Sequence, residues 1–190
     1  MNKMLIKNTF AASLALLLTW PLAVAADTLS TKPMQVSLVP AEGSPLLIGH
    51  ISFTQAGDGY DYTLTLDYSK FGEHFLNMRQ FKCFQGPKQM ICHLPYFYSK
   101  NQHISKGDML DLEYEFLYIH RSANDYGIDP WNGLYYKLHR TNDGLQGTLQ
   151  DVDLNILAAP PAEGVSRPIT SYNLQEADAE VHSYPTLLIH

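Results

Sequence analysis

Positive charge and cysteine are scarce in this chain, and the compact motifs of most enzyme classes are missing from it. Thirteen Lys and Arg stand against nineteen Asp and Glu, a formal net charge of -6 over 190 residues. Such a surface repels phosphate, so neither nucleic acid nor an anionic membrane face is an expected partner. There is no Gly-x-Ser-x-Gly elbow and no glycine pattern of a dinucleotide or phosphate loop. His-Glu-x-x-His and Cys-x-x-Cys are absent as well. On these grounds no catalytic residue is assigned, and no cofactor or metal is expected. No helical pattern is sustained over several turns, and no repeat of fixed period occurs.

The one marked apolar run opens the chain. Lys3 and Lys7 precede leucine-rich residues 10–26, which Pro21 interrupts and Ala23, Val24, Ala25 and Ala26 close. That pattern reads as a secretory signal peptide over 1–26, cut after Ala25 or Ala26. A membrane anchor is the competing reading, but the run falls short of the ~20 apolar residues a spanning helix needs. No cysteine follows the small residues, so a lipid-modified terminus is not expected. The ending suits bacterial export to the periplasm or the medium, with no stable membrane span after cleavage. Removing Lys3 and Lys7 takes the mature chain to a net charge of about -8.

The remainder reads as strand and turn. At 60–68 the even positions are Tyr or Leu and the odd ones Asp or Thr, which makes one wet face and one buried. Segments 34–39, 46–55, 78–84, 90–97, 110–116, 134–138 and 145–154 read the same way. Residues 70–77 fit a short helical turn as well as a strand, 99–108 a polar loop, and 175–181 a short helix. The expectation is a mainly β fold, an antiparallel sandwich or small barrel of about seven to eight strands with little helix. The β-domain should span 27–157. Pro160 and Pro161 then begin a linker and C-terminal tail over 158–190, outside the main core except for a docking of Leu187 to Ile189.

Cys83 and Cys92 flank a turn signal, Gln85-Gly86-Pro87-Lys88-Gln89. In an exported protein such a pair is expected as a hairpin disulfide. A two-residue loop at Pro87-Lys88 sets the cysteines in a non-hydrogen-bonded pair, where strands come closest; a four-residue loop inverts the parity.

The candidate site is the loop 124–133, where Asp125, Tyr126, Asp129, Trp131 and Asn132 gather. An oxygen-rich calcium site, a sugar-stacking platform and a protein-binding anchor all use such residues, although the EF-hand calcium spacing is not met. The same residues also suit a structural corner in which Trp131 plugs the core. Eight histidines are scattered; His93, His103, His120 and His139 lie near strands, without metal spacing. Asp111, Glu113 and Glu115 share one face if 110–116 is a strand, and Asp151 and Asp153 repeat that arrangement. The expected function is an exported, non-catalytic domain binding a protein or glycan of the cell envelope through the aromatic loop. Its rivals are a carboxylate-based hydrolase with an acidic cleft and a barrel holding an apolar ligand against Tyr62, Leu64, Leu66 and Phe116.

Overall fold

Alternating apolar and polar side chains make most of this chain extended. The computed structural model describes residues 28–190, so the segment 1–26 that reads as a signal peptide lies outside the described residues. The described residues form twelve strands: β1 (Met34–Val39), β2 (Leu46–Ala56), β3 (Gly59–Leu66), β4 (Gly72–Leu76), β5 (Arg79–Gln85), β6 (Met90–His93), β7 (His103–Ser105), β8 (Tyr118–Arg121), β9 (Gly133–Thr141), β10 (Gly144–Val152), β11 (Leu174–Glu176) and β12 (Thr186–Ile189). The fold is mainly β and antiparallel, as expected, but its strands outnumber the expectation. Segments read as loop, helix or ambiguous supply β4, β7 and β11, which pair over only three to five residues. Among the described residues no helix is long and apolar enough to cross a membrane.

The strands make one continuous sheet in the order β4-β5-β6-β8-β9-β10-β12-β1-β2-β3-β7, with β11 also pairing β10. That sheet curls on itself. Arg140 of β9 lies 5.2 Å over the Tyr60 ring of β3, although four strands separate them in the sheet. Inside the curl, Val36, Leu38, Ile48, Phe53, Tyr136, Leu145 and Leu187 form the larger core. On the opposite face, Tyr135, Ile119 and the two cysteines pack against Tyr96, Tyr114 and Ile169 in a smaller one.

Two segments depart from the sequence reading. The stretch 110–116 is not a strand: α1 (Leu110–Glu113) continues into a 3-10 turn at Tyr114–Phe116. Asp108 Oδ1 accepts the Leu110 N–H at 2.9 Å, which starts the turn. The period-two alternation is real, but tertiary packing overrides it, because the helical turn buries Leu112, Tyr114 and Phe116 beside acids that all find partners. The second correction concerns the tail. Thr186–Ile189 is an interior strand of the sheet, paired with β1 on one side and β10 on the other. Its Leu187 and Ile189 are fully buried. The expected helix at 175–181 is instead β11 followed by one turn, in which the Val181 and His182 N–H groups donate to the Asp178 carbonyl.

Cys83 and Cys92 are bonded and stand opposite each other, their Cα atoms 3.9 Å apart. The Gly86 N–H donates to the Gln89 carbonyl at 2.9 Å, which closes a two-residue turn on Pro87-Lys88 and gives the cysteines the close, non-hydrogen-bonded register. Pro87 is tolerated because the turn is held from outside: Ser183 Oγ accepts the N–H groups of Lys88 and Gln89 at 3.0 and 3.2 Å. Closing a loop of this length removes about 2.7 kcal/mol of unfolded-chain entropy.

His93, the last residue of β6, is buried between Tyr68, Glu115 and Tyr118. Its Nε2–H donates to the Glu115 carbonyl, so Nδ1 is left to accept the Tyr68 hydroxyl, both at 3.0 Å. That pairing requires the neutral ring. Burial pushes its pKa down from 6.5 to about 4, against the pull of the Glu115 carbonyl and with the help of the Lys100 charge. The unfolded chain therefore binds a proton that the folded chain refuses between these two values. Stability is full above pH 6.5 and falls as the pH drops towards 4, by about 3 kcal/mol from this group. Denaturant titrations between pH 7 and 4 should show that slope, and His93→Gln should flatten it; an unchanged slope in the variant counts against the assignment.

Candidate functional site

The loop joining β8 to β9 is fixed at its middle and bare at its edges. Asn77, in the turn between β4 and β5, clamps it: its Nδ2 donates to the Ile128 carbonyl at 2.5 Å, and its Oδ1 accepts the Ile128 N–H at 3.3 Å. Gly127 has a φ of +80°, and a side chain there would collide with Asn77 Oδ1 at 2.3 Å. Ile128 is buried in the smaller core. The two aromatic rings go the other way. Tyr126 is fully exposed and Trp131 is 69% exposed, so Trp131 does not plug the core.

The loop acids have structural work. Asp125 Oδ2 accepts the Ser122 N–H at 2.6 Å, and Asp129 Oδ1 accepts the Trp131 N–H at 3.0 Å. The half-buried Asn132 holds the loop base: its N–H donates to the Asp129 carbonyl, and its carbonyl accepts the His120 N–H. Turn chemistry thus accounts for the side chains of Asp125 and Asp129, Asn132 contributes through its backbone, and the rings of Tyr126 and Trp131 face solvent.

Beside the loop runs a groove of about 460 Å³. Phe81, Leu94, Tyr96, Phe97, Ile119 and Leu157 line it together with Ile128 and Pro130 of the loop; its polar side chains include Asn77 and Arg79. Phe97 is 83% exposed. Met78, next to the clamp, is 88% exposed and has a φ of +61°. A non-glycine residue in that conformation costs roughly 1–2 kcal/mol, so a thioether stands where glycine is cheaper. Sequence pattern misses Met78 and Phe97, because neither lies in the loop; the only local signal is an apolar residue inside a turn.

The acids expected to line a surface or a cleft are partnered separately. Asp111 holds Arg167 and accepts the Asn101 N–H at 2.6 Å. Glu113 accepts the Tyr135 hydroxyl, the Leu138 N–H at 2.8 Å and Lys137 at 3.2 Å. Glu115 pairs with Lys100 at 2.7 Å and accepts the Tyr62 hydroxyl at 3.1 Å. Burial and then the Glu113 charge push the Tyr135 hydroxyl far above its usual range, so it remains a donor. Helical geometry turns these three carboxylates in different directions, where a strand would have set them on one face. Tyr62 and Phe116 belong to the larger core, and the partly buried Leu64 and Leu66 pack against that core.

The histidines also separate. His93 is consumed in the core, His103 pairs with Asp61 at 2.8 Å, and His139 is exposed. His120 instead meets His182, a residue from the supposed tail, with ring centroids 5.0 Å apart. No family model, curated protein or solved structure matches this chain.

Proposed function

We propose that this chain is an exported, non-catalytic β-domain that binds a protein of the bacterial cell envelope through its aromatic loop and the adjoining groove. The observation that carries the reading is the exposure of Tyr126 and Trp131 on a loop clamped by Asn77, beside an apolar groove. A rigid mount for exposed aromatics lowers the ordering cost of binding. Aromatic anchors next to a largely apolar recess suit a protein segment bearing large apolar side chains. A glycan is the weaker ligand, because hydroxyl recognition needs unspent polar groups and Asp125 and Asp129 already cap turns. The disulfide supports residence in an oxidising compartment.

Trp131→Ala tests this directly. Its ring is mostly outside the core, so stability should change by no more than about 0.5 kcal/mol. Affinity for the envelope protein that the wild type retains should fall about 30-fold, the effect of losing an anchor worth about 2 kcal/mol. Equal retention by wild type and variant at matched thermal midpoints overturns the proposal. Capture of a purified envelope glycan with loss in the same variant assigns the loop to sugar instead.

A further inference from the structure

We propose that His120, Asp151 and His182 form a binding site for one divalent transition-metal ion of the zinc class. Residue 120 lies on β8, 151 on β10, and 182 just before β12, so three separate parts of the chain supply the ligands. One ligand atom from each lies within 4.8 Å of the other two. His182 Nε2 and Asp151 Oδ1 are 3.0 Å apart. Tetrahedral zinc with bonds of about 2.1 Å spaces its ligands about 3.4 Å apart. Closing the remaining gap takes about 1 Å of side-chain movement. Asp151 can supply it, because its side chain is 42% exposed.

The surroundings fit a metal better than a plain hydrogen-bonded cluster. His120 Nδ1 is buried and has no hydrogen-bond partner among the described residues, a costly state for a ring nitrogen in the absence of a ligand. His182 is buried, and its Nδ1 meets the Gln89 side-chain amide at 3.1 Å. Rotating that amide presents an oxygen to Nδ1–H, the outer partner a metal-bound histidine requires. Two imidazoles and one carboxylate favour zinc, nickel or copper over the hard cations magnesium and calcium. Three protein ligands leave a fourth position for water. Bound there, the ion would tie the segment leading into β12 to β8 and β10.

The test uses tag-free mature protein, washed with chelator and titrated with zinc chloride alone by calorimetry. One ion per chain is expected, with a thermal midpoint raised by about 5–10 °C at a hundredfold excess over Kd. His120→Ala and Asp151→Asn should each weaken binding at least about tenfold, as loss of a ligand does. Asp151→Asn is nearly isosteric at a half-exposed position, so it keeps the fold if His120→Ala does not. His139→Ala, on the exposed face of β9, should bind as the wild type does. Calcium and magnesium should give no saturable heat. Absence of saturable zinc binding overturns the proposal, and so does zinc binding unchanged in Asp151→Asn.

Discussion

Deleting residues 186–190 is expected to abolish the cooperative thermal transition of this protein. These five residues look dispensable in the sequence, lying beyond a proline linker, yet they occupy the middle of the sheet. Four residue pairs join β12 to β1 and four join it to β10. His190 extends the ladder, exchanging both backbone hydrogen bonds with Gln35. Leu187 and Ile189 are fully buried, each worth roughly 1.5–3 kcal/mol of apolar transfer. Each lost ladder bond adds about 1 kcal/mol. The sum approaches the 5–15 kcal/mol that holds a typical domain folded. The deletion also bares the edges of β1 and β10, which invites pairing between chains. Circular dichroism melts of the truncated and full chains decide the matter; a cooperative melt within a few degrees of the full chain refutes the expectation. Leu187→Ala gives a graded version, with an expected loss of about 2–5 kcal/mol.

Glu113→Ala should cost about 3–5 kcal/mol, although the sequence places Glu113 on a wet face. The side chain has no solvent exposure. It is the acceptor for the Tyr135 hydroxyl and the Leu138 N–H, and it pairs with Lys137. Alanine leaves two buried donors without acceptors and opens a cavity between α1 and β9. Little of the loss comes from Lys137, whose side chain is 55% exposed and returns to water. Glu113→Gln keeps the volume and one oxygen, so it should cost clearly less than alanine. Urea denaturation with an unchanged m-value provides the measurement. A loss below about 1 kcal/mol in the alanine variant would show that the network carries no net stability.

Much of the β framework is legible in the sequence because it follows from local chemistry. Alternation marks β1, β2, β3, β9 and β10, and Gly57-Asp58 marks the turn between β2 and β3. Symmetric spacing about Pro87-Lys88 places the disulfide. The strands that escape notice are those with too few residues to show a period. β7 and β11 have three residues each, and β12 has four. Their pairing is settled by what lies beside them: β11 takes the part of the β10 edge that β12 leaves uncovered.

The candidate sites divide in the same way. A loop rich in Asn, Asp, Gly and aromatics stands out in the sequence, since those residues are turn formers wherever they occur. Which way Trp131 faces does not. That depends on Ile128 taking the core position and on Asn77, fifty-one residues away, clamping the backbone beside it. Met78 and Phe97 join the same surface from other parts of the chain. The meeting of His120, Asp151 and His182 has no sequence signal at all, because these residues are brought together only when β12 inserts between β10 and β1.

By itself the sequence determined the class of fold, the disulfide, the acidic surface and the position of the aromatic loop. Each of these depends on residues close together in the chain or on composition. The tertiary structure decided that the supposed tail is a central strand, that the acids of 110–116 are internal partners, and that two histidines and an aspartate share one site. The physical reason is the same in all three cases. Side chains remote in sequence become neighbours only when the sheet curls, and burial then rewards whichever pairing satisfies the most polar groups, whatever the local pattern favours.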